Sequence, residues 1–218
     1  MSAPRVLTQL ETYQNNHMRT KKVAVLIFDD VEVLDFCGPF EVFSVAGKWK
    51  GNIPFEAFTV AQKKKIRARG GLSINPTYTF KNCPKADIIV IPGGGGRRKD
   101  GTPFGTRKEM DNPALIKWIQ QYAATSEQVL SVCTGALLVA KAGLMEGLSV
   151  TTHHLAFGEL AKVAPATARI CQDVRVVDNG KFVFSGGVAA GIDASFHIVG
   201  NILGKEIAEK TAKYIEYG

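Results

Sequence analysis

The chain has 218 residues, 45% of them hydrophobic, and 27 basic against 20 acidic side chains for a net charge of +7. That length supports one domain whose core needs neither disulfides nor metal, and the mean hydropathy near zero is that of a soluble globular chain. No apolar stretch reaches membrane-spanning length, so a membrane protein is not expected.

The first twenty residues hold Arg5, Glu11, His17 and Arg19 without an apolar core, so Met1 to Thr20 reads as a flexible extension, not a secretory signal, and residues 21–218 as a single domain. The four cysteines, Cys37, Cys83, Cys133 and Cys171, form no C-x-x-C pair and have no histidine at ligand spacing. This argues against zinc or any other metal and for a reducing compartment, with cytoplasm the expected location.

Lys22 to Phe28 is a continuous run of mostly branched apolar residues, as in a strand buried on both faces of a parallel sheet. After it, Asp29 to Pro39 leads into a helix predicted through Phe40, Val42, Phe43 and Val45, with Pro39 near its first position. Asp35 then lies in a strand-to-helix connection, on the edge where open α/β sheets keep their sites; the plain alternative is a cap on that helix.

Ile53 to Ala61 is the next strand, and Lys63 to Pro76 reads as a small basic hairpin. This basic run and Arg97-Arg98-Lys99 carry no interleaved aromatics and read as solvated surface rather than a nucleic-acid site, although an anionic substrate stays open. Ala86 to Ile91 is another buried strand, ending in Pro92-Gly93-Gly94-Gly95-Gly96. That glycine run matches neither a P-loop nor a dinucleotide fingerprint, so no cofactor is expected; it is either an amide donor site or a ligand-free turn. Arg97 to Glu109 reads as a mobile charged loop, and Asn112-Pro113 opens a helix.

Val129 to Val132 is a short apolar strand, Cys133 follows, and Ala136, Leu137, Ala140 and Leu144 recur at helical spacing. A nucleophile on a strand-to-helix elbow needs small residues two positions away on each side, and Ser131 and Gly135 supply them. The elbow aims the Thr134 N–H and the helix start at the sulfur, an arrangement expected to stabilise a thiolate. The alternative is an inert buried cysteine.

Leu148 to Thr152 is a short strand running into His153-His154, so at most one of these histidines should face the site. Val174 to Asp178, Asn179-Gly180 and Lys181 to Ser185 form a hairpin, after which Gly186 to Asp193 turns into a helix and Ile207 to Tyr217 forms the last one. Alternating strands and helices make this a doubly wound, mostly parallel α/β sheet sandwiched by helices, with a β-hairpin excursion.

Five segments in order, Val33-Leu-Asp35-Phe-Cys-Gly-Pro39, Ile91-Pro-Gly-Gly94, Ser131-Val-Cys-Thr-Gly135, Val150-Thr-Thr-His153 and Gly186-Gly-Val-Ala-Ala-Gly-Ile-Asp193, resemble the ThiJ/PfpI superfamily. The resemblance implies a class I glutamine amidotransferase-like, flavodoxin-type fold, usually in homodimers. The L-D-x-x-G-P start, the C-T-G elbow and the T-T-H element are similar to the isonitrile hydratase branch and to sensor domains of AraC-type regulators. That implies Cys133 as nucleophile, Asp35 as acid/base and Thr134 as their hydroxyl partner. Gly94, with Gly95 beside it, would offer an oxyanion amide, and His153 would border the substrate. Thr134 stands where the protease-like branch has histidine, and Asp35 where the deglycase branch has glutamate. Residues 97–106 look like an insertion.

The implied reaction adds water to an isonitrile to give an N-substituted formamide. The alternatives are glyoxalase or deglycase chemistry on 2-oxoaldehydes, with His153 shuttling protons, and a ligand or redox sensor built on Cys133. AraC-type regulators continue into a helix-turn-helix domain, which these 218 residues do not contain, and this favours the enzyme.

Overall fold

The computed structural model describes residues 19–49 and 53–218. The extension expected at residues 1–20 lies outside them except for its last two. Arg19 donates to both carboxylate oxygens of Asp87, at 2.6 and 3.1 Å, and the Thr20 hydroxyl donates to the Ile53 carbonyl at 2.7 Å.

In chain order the strands and helices are β1 (Lys21–Leu26), α1 (Val33–Val45), β2 (Phe55–Ala61), β3 (Ile66–Arg67), β4 (Ser73–Ile74), β5 (Tyr78–Thr79) and β6 (Ile88–Ile91). They continue with β7 (Gly95–Arg97), β8 (Pro103–Gly105), α2 (Thr106–Glu109), α3 (Pro113–Thr125), β9 (Gln128–Val132) and α4 (Gly135–Lys141). The last are β10 (Ser149–Val150), α5 (Phe157–Val163), β11 (Arg169–Ile170), β12 (Val176–Asp178), β13 (Phe182–Ser185), α6 (Ala190–Leu203) and α7 (Lys205–Tyr214).

The main sheet has seven strands in the order β12-β13-β9-β6-β1-β2-β5. All neighbours pair in parallel except β12, which pairs antiparallel with β13 and is the hairpin excursion. Helices α1, α6 and α7 pack together as one layer, and α2 to α5 as the other. The apolar runs become central strands for the expected reason: Val23 to Leu26, Ile88 to Ile91 and Val129 to Leu130 are fully buried between the layers. Because β13, β9, β6 and β1 are neighbours and parallel, their carboxyl ends, and the loops that follow, meet at one place on the sheet edge.

Two local expectations change. Helix α1 begins at Val33, not near Pro39, and Pro39 lies inside it. Proline there removes a helical N–H, but Phe36 and Phe43 are buried and Gly38 is pressed against Ile192 of α6, so packing overrides the local signal. The segment expected to be a mobile loop at 97–109 is instead the antiparallel β7–β8 hairpin followed by α2. Arg98 lies over the Phe104 ring, 5.2 Å from its centroid.

Helix α3 starts as read: Asn112 caps it, its side chain accepting from the N–H groups of Ala114 (3.2 Å) and Leu115 (3.3 Å), with Pro113 next. Asn112→Ala is expected to cost about 1 kcal/mol in denaturant unfolding. An unchanged midpoint would show that the cap contributes nothing.

Candidate active site

Cys133 directly follows β9 with φ at 57°, in the left-handed region that a side chain enters only when its surroundings hold it there. Its N–H donates to the carbonyls of Ser185 (3.3 Å) and Gly186 (3.1 Å), and its carbonyl accepts from the Thr152 hydroxyl at 2.8 Å. Gly135 is glycine because a Cβ there would collide with the Ile91 carbonyl at the end of β6. The elbow is thus gripped from three sides.

Asp35 is fully buried in the first turn of α1. It caps nothing; its Oδ2 accepts from the Gly93 N–H at 3.0 Å, and Oδ1 is buried without a well-formed hydrogen bond. The thiol of Cys133 is the group across from the carboxyl, and each shifts the other's titration. The next amide along, Gly94 N–H, donates to the Thr134 hydroxyl at 3.0 Å. Gly93 is therefore the crossing point: a Cβ on it would collide with Thr134 and stand 3.0 Å from Asp35 Oδ2.

The electrostatics invert one expectation. Burial pushes the Asp35 carboxyl up from 3.8 to about 7, against the Gly93 N–H and the Cys133 thiol, which pull it down. Burial, followed by the charge of Asp35, pushes the Cys133 thiol up to about 12. The N–H groups of Val188 and Thr134 do favour the thiolate, as an elbow should, but they are outweighed. The pair therefore rests as a thiol beside a carboxyl that titrates near neutrality, rather than as a free thiolate.

Other candidate residues are placed differently. The Gly94 amide is engaged by Thr134, so it is not a free oxyanion donor, and Gly95 pairs with Gly105 in the β7–β8 hairpin. His153 and His154 do not face opposite ways. The β10 ladder ends at Val150, His153 starts a 3-10 turn, and the two rings stack with centroids 4.3 Å apart. The His153 ring packs on Gly187 and its Nδ1 accepts from the Leu155 N–H at 3.2 Å; burial, then His154, lowers its pKa. A cleft of about 360 Å³ runs past this point, lined by Thr152, His153, Phe157, Val174, Gly187 and Val188 among others. Among the described residues no three His, Cys, Asp or Glu side chains gather as a metal site.

A cysteine on a strained elbow, facing a buried carboxyl brought from the first turn of α1, sits within a stretch, residues 21–201, that matches the DJ-1/PfpI family model. The chain belongs to the DJ-1/PfpI family. It is 31% identical over 202 residues to an isonitrile hydratase from Pseudomonas putida, covering 90% of this chain and 78% of that protein. It is 24% identical over 200 residues to the HTH-type transcriptional regulator GbdR of Pseudomonas aeruginosa, covering 90% of this chain but only 51% of the regulator. Among solved structures, a ThiJ/PfpI family protein from Pseudomonas syringae matches with a TM-score of 0.78 at 25% identity, over 98% of this chain and 83% of that one. Drosophila melanogaster DJ-1beta shares the DJ-1/PfpI fold at a TM-score of 0.75 and 18% identity, over 92% of this chain and 100% of its own.

Two contributors to this DJ-1/PfpI site have no role assigned to them from the sequence. Val188 supplies an amide to the sulfur from φ of 44°, and Thr106 places a buried hydroxyl 3.2 Å from that of Thr134. The glycines around Val188 were its only local signal.

Gly93→Ala should destabilise the protein by about 1–3 kcal/mol, because the added methyl meets backbone as well as side chain; unchanged unfolding would contradict the crossing-point geometry. Asp35 makes a second, pH-dependent prediction. Its folded pKa is above the unfolded value, so the folded chain holds that proton more tightly, and stability falls as pH rises from 3.8 through about 7. Asp35→Asn removes the titration, and should therefore gain a few kcal/mol relative to wild type at pH 8.5 compared with pH 4. Thermal unfolding of both proteins across that range reads the difference.

Proposed function

We propose that this protein adds water to an isonitrile, R–N≡C, to give the N-substituted formamide R–NH–CHO, with Cys133 as nucleophile and Asp35 as the single acid/base. The observation that carries the reading is the pair itself: a thiol whose proton stays on sulfur beside a buried carboxyl that gains and loses a proton near pH 7. The 31% identity to an isonitrile hydratase supports the same reading.

The chemistry suits one shared proton. The terminal carbon of an isonitrile must receive a nucleophile and a proton at the same atom. As the Cys133 sulfur bonds to that carbon, the thiol proton passes to the Asp35 carboxylate, which returns it to the carbon and leaves a thioimidate, R–N=CH–S. A thiol at about 12 leaves only about one molecule in 10⁵ as thiolate at pH 7, so transfer to Asp35 during attack is easier than ionisation beforehand. Asp35 then takes a proton from water as its oxygen adds to the same carbon, and passes that proton to nitrogen. Collapse breaks the carbon–sulfur bond, and the hydroxyl proton returns through Asp35 to sulfur. Thr134, beside the carboxyl, hydrogen-bonds the adding oxygen. The organic group R extends into the cleft past Val188 and His153.

Two features argue against the other readings. Peroxide sensing rests on an available thiolate, which the burial of Cys133 disfavours. Proton shuttling by His153 on an aldehyde would need a ring that is here packed on Gly187, with Nδ1 already accepting a hydrogen bond.

Formamide production from a simple alkyl or aryl isonitrile, under reducing conditions, tests the proposal. Wild type should turn over and Cys133→Ala should not. Asp35→Asn should lose about 10²- to 10⁴-fold in kcat/KM. Because the carboxylate form is the one that accepts the thiol proton, kcat/KM should rise with pH and level off above about 7. Failure of pure, folded, reduced wild type to make formamide would remove hydration as the activity, and full activity in Asp35→Asn would remove the role of the carboxyl.

A further inference from the structure

The Thr134 hydroxyl has two hydrogen-bond neighbours. Its Oγ1 accepts from the Gly94 N–H at 3.0 Å and lies 3.2 Å from Thr106 Oγ1. Thr106 opens α2 at the end of the β7–β8 hairpin, and its own N–H is tied to the Gly94 carbonyl at 3.1 Å. The next residue, Arg107, makes a two-pronged ion pair with Glu159 of α5, at 2.9 and 3.1 Å, so this segment is anchored from both sides.

Thr106 is fully buried, and its hydroxyl has no other hydrogen-bond partner among the described residues. If Thr134 donated to it, the Thr106 proton would be buried and unbonded, a state that folded proteins rarely leave a hydroxyl in. The reverse arrangement bonds the Thr106 proton, in the residue with no exposed surface: Thr106 donates, Thr134 accepts twice, and the proton left without a protein partner is that of Thr134, which keeps 5% of its surface exposed. The proton of Thr134 then takes the one tetrahedral direction left to it. Thr134 Oγ1 and Asp35 Oδ2 lie on the same side of Gly93, where a single added Cβ would touch both.

We propose that Thr106 is a positioning residue: by donating to Thr134 it leaves the Thr134 proton for the reacting centre formed by Asp35 and Cys133. The start of α2, held at the end of the β7–β8 hairpin, is then part of the site, since it delivers the donor that sets the hydroxyl. This rests on the proposed function only for the identity of the substrate. The sign of the effect separates the two possible hydrogen-bond directions. If Thr106 were the acceptor, removing its hydroxyl would free the Thr134 proton and leave the rate the same or higher.

The test compares Thr106→Val, Thr106→Ser and Thr134→Val, together with the Thr106→Val/Thr134→Val double variant, after thermal unfolding has shown each to be folded. If Thr106→Val does not fold, Thr106→Ala removes the same donor in its place. With an isonitrile substrate, Thr106→Val should lower kcat about fivefold with little change in KM, and Thr106→Ser should restore it. In the Thr134→Val background the substitution at 106 should cost nothing more, because its only target is gone. A second readout needs no isonitrile: alkylation of Cys133 by iodoacetamide, followed against pH, reports the carboxyl that takes the thiol proton. Its inflection should move upward in Thr106→Val and not in Thr106→Ser. An unchanged or faster kcat in Thr106→Val, an equal loss in the Thr134→Val background, or an unmoved alkylation profile would each overturn the role of Thr106. If wild type turns over no isonitrile, the hydration reading fails and the alkylation profile alone decides.

Discussion

The site depends on how closely one backbone turn approaches another. At the end of β6 the Ile91 carbonyl lies against Gly135, and Gly93 lies between Thr134 and Asp35, so the turn after β6 and the β9–α4 elbow meet with no side chain between them. That contact is possible only because β6 and β9 are neighbouring parallel strands in register, Ile91 opposite Ser131. Everything chemical follows from the contact being dry. Successive amides, Gly93 and Gly94, are handed to Asp35 and Thr134, and water is kept from the thiol and the carboxyl alike.

Dryness, rather than a favourable dipole, then governs the proton. Four fixed groups favour charge here: the Thr134 and Val188 amides at the sulfur, the Gly93 amide at the carboxylate, and Arg69 farther out. Desolvation exceeds them, so the two acids titrate as one unit whose first ionisation falls near neutrality and whose second is far above it. The strained φ of Cys133 and the buried carboxyl are both costs to stability, borne by strands whose apolar residues are wholly enclosed. At Asp35 the burial that raises the carboxyl also lowers stability above neutrality.

The legible parts of the sequence were those written locally. Buried parallel strands announce themselves as apolar runs, and the elbow around Cys133 as small residues at fixed offsets; Asp35 was found because it closely follows a buried strand, although it stands in the first turn of α1 and not in the connection before it. What escaped depends on the neighbours. The thiol was expected to be acidic, because the motif displays its amides and conceals its burial. Helix α1 starts six residues before Pro39, because the packing of Gly38 on Ile192 is a long-range contact. The histidine pair was misread because Thr151 and Thr152 leave the ladder after Val150, so strand alternation no longer applies. Thr106 and Val188 carried no signal of their own, since nothing near them in sequence says that their partners are Thr134 and Cys133.

The carboxyl comes from the first turn of α1 and the last amide at the sulfur from the turn after the final strand, so the site is bracketed by residues from nearly opposite ends of the fold. No early fragment of the chain contains it: until β13 has docked beside β9, the Cys133 N–H lacks both its acceptors and the sulfur lacks Val188. Contacts of such long sequence separation are formed late and at high entropic cost. The pairing of Cys133 with Asp35 therefore comes into being only with the finished domain, and a nascent or partly unfolded chain carries an ordinary thiol in its place.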